Sequence, residues 1–331
     1  MYRLKFCALY VCFERDKKED TMSIEKSLFE YIRGNLTESG MLPESFSLPS
    51  DEEEGKARFA DGAMDGISIY HMGFSPLGDA DNEELGRLVR LAADGKTKEA
   101  ESGFEVFCRS NRAVKIIDAL QGFIMDHREE LSPGNMHAFA TEMLFHSARK
   151  ECVKIGMSIL ELFNTYEDEE IANAIRMIGI SDEFTIFAVF LMRGWPDGNK
   201  EILELAKKVR GWGRIHCVDF IEPESDEIRK WLLFNGVDND IVPAYSGYRV
   251  YEKADINGLL DEEGLSDQEI KAILSVISAM LDEGPVSGIS NLDEPEKFLE
   301  KAIEKAESGY DLDETALSDL EQIREWLQQN S

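Results

Sequence analysis

The chain is poor in residues that carry chemistry, and each scarcity excludes a class of function. Five histidines and five cysteines are spread over 331 residues. Cys7, Cys12, Cys108, Cys152 and Cys217 are odd in number and lack the short paired spacings of zinc sites or redox motifs, so they point to a reducing cytoplasm. Basic residues are also scarce, 36 against 66 acidic, and the formal net charge is −30. A field of that sign repels phosphate backbones and anionic membrane surfaces, which argues against a nucleic-acid or membrane partner. No apolar run approaches the roughly 20 residues that cross a bilayer. The short run Phe6 to Phe13 leads into the charged stretch Glu14 to Asp20 with no small-residue cleavage site, unlike a secretory signal.

Standard catalytic signatures are missing as well. Gly62 to Gly66 and Gly211-Trp212-Gly213 do not follow a strand and open a helix, as a dinucleotide-binding loop must. There is no Gly-x-Ser-x-Gly elbow and no His-Glu-x-x-His helix. Asp311 to Thr315 resembles the start of a calcium loop, but the sixth position is Ala316 and the twelfth Gln322, so the acids read as the first turn of a helix, at the positive end of its dipole. The expectation is a protein without bound metal or cofactor.

What is present begins with an unusual start. Lys18-Glu19-Asp20-Thr21 precedes Met22, and the codons AAG GAG GAY ACN would spell a bacterial ribosome-binding site at normal spacing from a start codon. Residues 1–21 then read as translated leader of a bacterial gene, with Met22 as the true start. A helix is expected from Ser23 to Arg33, opened by a serine cap and carrying Ile24, Leu28, Tyr31 and Ile32 on one side.

The rest of the irregular region, which spans residues 22–80, has Pro43, Pro49 and Pro76, five glycines from Gly40 to Gly73 and the acidic cluster Asp51 to Glu54. Ala57 to Ala60 and Ile67 to Met72 read as a small β-hairpin joined through Asp61-Gly62 and Asp65-Gly66. From residue 81 to 283 the apolar residues recur at helical steps. The sets are Leu85, Leu88, Val89; Phe104, Phe107, Cys108; Ile116, Ile117, Leu120, Ile124; and Met136, Phe139, Ala140, Met143. Residues 284–331 add two acidic amphipathic helices, about Glu294 to Ser308 and Glu314 to Gln329, suited to a terminal cap.

Three stretches within this array read as helix, tight turn, helix: Asp168 to Met192, Asn199 to Ile221 and Ser225 to Gly247. Their leading residues Ile171, Ile202 and Ile228 are offset by 31 and 26 positions, within the roughly 20 to 50 residues expected of helical arrays. Gly194-Trp195-Pro196 stops one helix, and Ser266 with Glu269 forms a capping-box spacing before another. These capped pairs resemble HEAT-like repeats. That resemblance implies a mainly α fold, an α-solenoid of stacked helix pairs with one long concave binding face.

The residues best placed for such a face are aromatic and basic. Trp195, Trp212, Trp231, Tyr245, Tyr248 and Tyr251 gather in the repeat region with Arg193, Lys207, Lys208, Arg210, Arg214, Arg229 and Lys230. The expected groove is lined by Trp195, Trp212, Arg214, Arg229, Trp231, Tyr245 and Tyr248, and would hold a protein or peptide partner, its basic residues suiting an acidic peptide or a small anion. Against this stands packing of the aromatics between repeats, with the charges on a solvated face. His146 and Glu142 sit one helical turn apart with His127 and His137 nearby, a set that could bind metal or simply form an exposed helical pair. His216 and Cys217, adjacent on a helix, point apart and read as packing.

A second resemblance covers the N-terminal part: Ser23 to Ile32, Leu48-Pro49 and Ile67 to Gly73 look like Gram-positive proteins labelled limonene hydroxylase. It implies an enzyme but assigns no catalytic residue here, since hydroxylation needs haem, flavin or non-haem iron. Two functional readings therefore stand. One is a cytoplasmic interaction protein with an aromatic-basic groove. The other is an enzyme on a small apolar or anionic substrate, with His127, His137, Glu142 and His146 converging.

Overall fold

The computed structural model describes residues 26–49, 59–284 and 286–330. The leader reading of residues 1–21, and half of the first hairpin run, lie outside them. The described residues are mainly helical and contain no strand. They divide into two compact units, Met1–Pro196 and Asp197–Ser331.

The first unit holds α1 (Leu28–Asn35), α2 (Ala63–Ile67), α3 (Asp79–Ala93), α4 (Thr97–Phe107), α5 (Ala113–Asp126), α6 (Pro133–His146), α7 (Lys150–Leu160), α8 (Glu169–Ile178) and α9 (Thr185–Arg193). The helix expected from Ser23 starts instead at Leu28, because Ser27 Oγ accepts from Glu30 N–H and caps it there. Asp168 caps α8 by accepting from the N–H groups of Glu170 and Ile171. Most apolar stripes read from the sequence are buried as expected; Ile117 is only half-buried.

At the centre of this unit, α7 packs against α4, α5, α6 and α9. From Cys152 to Leu160 every residue is buried, as a helix surrounded on all sides requires. Gly156 permits the closest approach: a Cβ there would lie 2.7 Å from Met143 Cβ and 2.8 Å from the Ala140 carbonyl oxygen on α6. One residue in the middle of this apolar helix is Lys154, which is wholly buried.

The second hairpin run is helical. Ile67 closes α2, and Ser68–Met72 continue it as a single π-helical turn. Its buried positions Gly62, Ala63, Asp65, Gly66 and Ser68 fall in neighbouring pairs and do not alternate as those of a strand would, and Ser68 Oγ donates back to the Met64 carbonyl at 2.8 Å. Docking of the polar residues decides the conformation over the β-propensity of Ile67, Ile69 and Tyr70.

The second unit holds α10 (Gly198–Ala206), α11 (Gly211–Phe220), α12 (Asp226–Asn235), α13 (Ala244–Lys253), α14 (Ile256–Leu259), α15 (Asp267–Met280), α16 (Pro295–Glu307) and α17 (Glu314–Asn330). The helix-turn-helix stretches of the sequence thus become α8–α9, α10–α11 and α12–α13. The expected capping box of Ser266 and Glu269 opens α15, which packs on α12, α13 and α17. At the end of α11, Lys253 Nζ donates to the carbonyls of Val218, Asp219 and Ile221 at 3.0, 2.7 and 2.7 Å. It closes orphan acceptors of a helix C-terminus with a cation, the favourable sign there. Asp313, in the acidic stretch that resembled a calcium loop, accepts from Ala316 N–H at the start of α17.

Candidate functional site

The groove residues separate by burial. Trp195 belongs to the first unit, where its Nε1 donates to Thr165 Oγ1 at 3.0 Å and Arg176 lies 4.9 Å over its ring. Trp212 and Tyr245, in the second unit, pack with ring centroids 4.9 Å apart and are both buried. These three are core. Tyr248 is half-buried, 6.0 Å from Tyr251, which meets Phe298 edge-on.

Arg214 and Trp231 do meet: the guanidinium sits 5.8 Å from the ring centroid. Arg214 is fixed there because Nε donates to the Val209 carbonyl at 3.1 Å and Nη1 to the Asp238 carbonyl at 2.9 Å. Trp231 is half-buried on α12, and one turn later Phe234 is 44% exposed. Arg229 and Lys230 are exposed beside them; Arg229 pairs with Asp226 at 3.2 Å. From Asp197 to Lys253 the sequence has nine basic and eleven acidic residues, a balance of −2, which leaves −28 for the rest of the chain. This stretch is locally neutral within an acidic protein.

The histidines do not converge on a metal. His127 stacks on Phe123, with Nδ1 2.9 Å from that residue's carbonyl oxygen. His137 meets Phe163 edge-on at 5.1 Å. His146 faces Glu142 at 4.0 Å in an exposed helical pair. Among the described residues no group of three or more His, Cys, Asp or Glu is arranged to hold a metal ion. His216 is sealed in the second unit, and burial pushes its imidazole down to about 3.

The densest polar arrangement lies elsewhere, around Lys154. Its ammonium donates to Asp65 Oδ2 at 2.6 Å, Glu151 Oε1 at 2.9 Å and Glu183 Oε1 at 2.5 Å. Arg112 joins them, with Nε and Nη2 both 2.9 Å from Asp65 Oδ1 and Nη2 3.2 Å from Glu151. The outer carboxylate oxygens are fixed by backbone: Ala113 N–H donates to Glu151 Oε2 at 2.7 Å, and Gly62 N–H to Glu183 Oε2 at 2.8 Å. Ala113 opens α5, whose own preceding residue makes no side-chain cap, so Glu151 supplies the cap from α7. Lys150 and Asp61 add a flanking pair at 3.3 Å.

Three carboxylates and two cations give the five-residue cluster a net charge of −1. Burial penalises every member, and the neighbours decide the outcome. For Asp65 the loss of water dominates and its carboxyl is raised above the ordinary range, despite Lys154 and Arg112. Burial also opposes ionisation of Glu183, but Lys154, Lys150 and the Gly62 N–H outweigh it and bring the group to about 2. Lys154 and Arg112 are each held more firmly protonated by the carboxylates around them.

Only one of these five residues stands out in isolation. The available signal was Lys154 itself, a cation inside a helix otherwise apolar all round. Glu151 lies one helical turn before it on α7, but Asp65, Arg112 and Glu183 come from chain positions that no local pattern connects. No protein-family model matches the sequence, and no curated protein or solved structure matches it.

Proposed function

We propose that the protein is a helical interaction protein, a HEAT-like array of helix pairs, whose α11–α12 surface binds an acidic peptide segment bearing an aromatic or aliphatic anchor. The observation that carries this reading is the pairing of Arg214 with Trp231 beside the exposed Phe234. Aromatic residues and arginine are the side chains that most often carry binding energy at protein interfaces, because they offer large contact area at low entropic cost. The guanidinium is already immobilised by two backbone carbonyls, so little freedom remains to be lost on binding. Arg229 and Lys230 give the surface cations, and the near-neutral local balance lets an acidic segment approach a chain that repels anions elsewhere.

The test is affinity capture by the full chain from its native host, compared with Trp231→Ala and Phe234→Ala, followed by titration of the captured segment as a synthetic peptide. Truncation of an anchor at a hot spot costs about 2 kcal/mol or more, roughly a 30-fold loss of affinity. Equal binding by the natural chain and both folded variants would remove the surface from consideration.

A further inference from the structure

We propose that Arg112 and Lys154 form a binding site for a small carboxylate ligand, and that the Asp65 side chain occupies this site as an internal, displaceable stand-in. Both oxygens of Asp65 are engaged, Oδ1 by Nε and Nη2 of Arg112 and Oδ2 by Lys154 Nζ. This is the two-cation grip with which proteins hold carboxylate ligands. The two cations are kept in place without Asp65, because Glu151 and Glu183 hold Lys154, and Glu151 holds Arg112.

The segment that brings Asp65 in buries little apolar side-chain surface. Among its apolar side chains Ala63 alone is buried; Met64, Ile67, Ile69 and Tyr70 are half-buried, and Met72 is 61% exposed. Glycines in left-handed conformations bracket it, Gly62 at φ 77° and Gly73 at φ 66°. Such residues pivot at low steric cost. Of the two cations Arg112 is the one that reaches solvent, its side chain 27% exposed while those of Asp65 and Lys154 are at 1% and 0%.

Exchange of Asp65 for a ligand carboxylate leaves the cluster at −1, so no additional charge is buried. Asp65 is also the member whose ionised form its surroundings favour least, in contrast to Glu183. The Phe187 ring, 5.8 Å from Lys154 Nζ, offers an apolar flank to a short hydrocarbon body. The site lies within the first unit, whereas α11 and α12 belong to the second.

The experiment uses the full chain, natural and Asp65→Ala, with acetate as the probe and chloride at equal ionic strength as the control. Acetate should raise the thermal midpoint of Asp65→Ala saturably, chloride should not, and the further change Arg112→Met should abolish the effect. If Asp65→Ala does not fold alone, its recovery by acetate rather than chloride reads the same site. In the natural chain the internal competitor weakens acetate binding about tenfold or more, and saturating acetate should accelerate amide exchange across residues 61–72. Absence of acetate-specific stabilisation, an equal response after Arg112→Met, or unchanged exchange in the natural chain would overturn the proposal.

Discussion

Lys154→Met keeps most of the side-chain stem and deletes the charge, and it tests the physical reading of the buried cluster. In the natural chain three carboxylates lie within 2.9 Å of the ammonium. Removal leaves Arg112 to face all three, and the cluster goes from −1 to −2 without gaining water. Breaking a buried ion pair from one side costs about 3–5 kcal/mol, chiefly because the remaining charge stays buried. For a unit spanning Met1–Pro196, each kcal/mol is worth about 2–4 °C, so the midpoint should fall by about 6–20 °C. Urea unfolding followed at Trp195, the one tryptophan in that unit, reads the change directly. The pH dependence supplies an independent check. Without the ammonium Asp65 loses the neighbour that most opposes its raised carboxyl and Glu183 loses the main cause of its lowered one, so protonation costs the fold less than in the natural chain and the deficit shrinks as pH falls. A deficit below about 1 kcal/mol, or one equal at pH 7 and pH 4, would refute an electrostatic origin.

Two further substitutions probe other parts of the fold. His216 is held neutral with its pKa near 3 against an unperturbed 6.5, so the unfolded chain takes up one more proton between those values and the second unit loses roughly 1.4 kcal/mol per pH unit on acidification. His216→Phe should flatten that slope in urea titrations from pH 6.5 to pH 3, and an unchanged slope would show that other groups govern acid unfolding. Gly156→Ala places a methyl 2.7 Å from Met143 Cβ, and the strain of about 1–3 kcal/mol should outweigh the helix-propensity gain of up to about 1 kcal/mol. Greater stability in denaturant would mean that α6 and α7 separate easily.

Much of the helical framework was legible because it is locally encoded. Asp168, Ser225 and Ser266 announce helix starts by side-chain caps that work over three residues, and Pro196 marks a stop. The apolar stripes identified the core since period and burial are the same information. Trp195, Trp212 and Tyr245 illustrate the limit: sequence shows that they are clustered, but only packing decides that they face inward, while Trp231 and Phe234 face out. Ile67 to Met72 shows a second limit, because contacts of Asp65 with distant parts of the chain overrule local β-preference. The ion cluster was illegible for the same reason. Apart from Glu151 and Lys154, one turn apart on α7, its charges are separated by tens of residues, and all but Lys154 resemble the solvated acids and bases that fill the rest of the sequence.

The scattered origin of that cluster also sets an order on the ribosome. Asp65 is synthesised 118 residues before Glu183, an interval of roughly 6–24 s at 5–20 residues per second. Helices α3 to α6 have neighbours to pack against within that time, yet Lys154 is made before the residue that completes its set of carboxylates. The nascent chain must therefore keep α7 or its charged centre accessible to water until Glu183 emerges, which makes closure around this lysine a late event in the birth of the first unit.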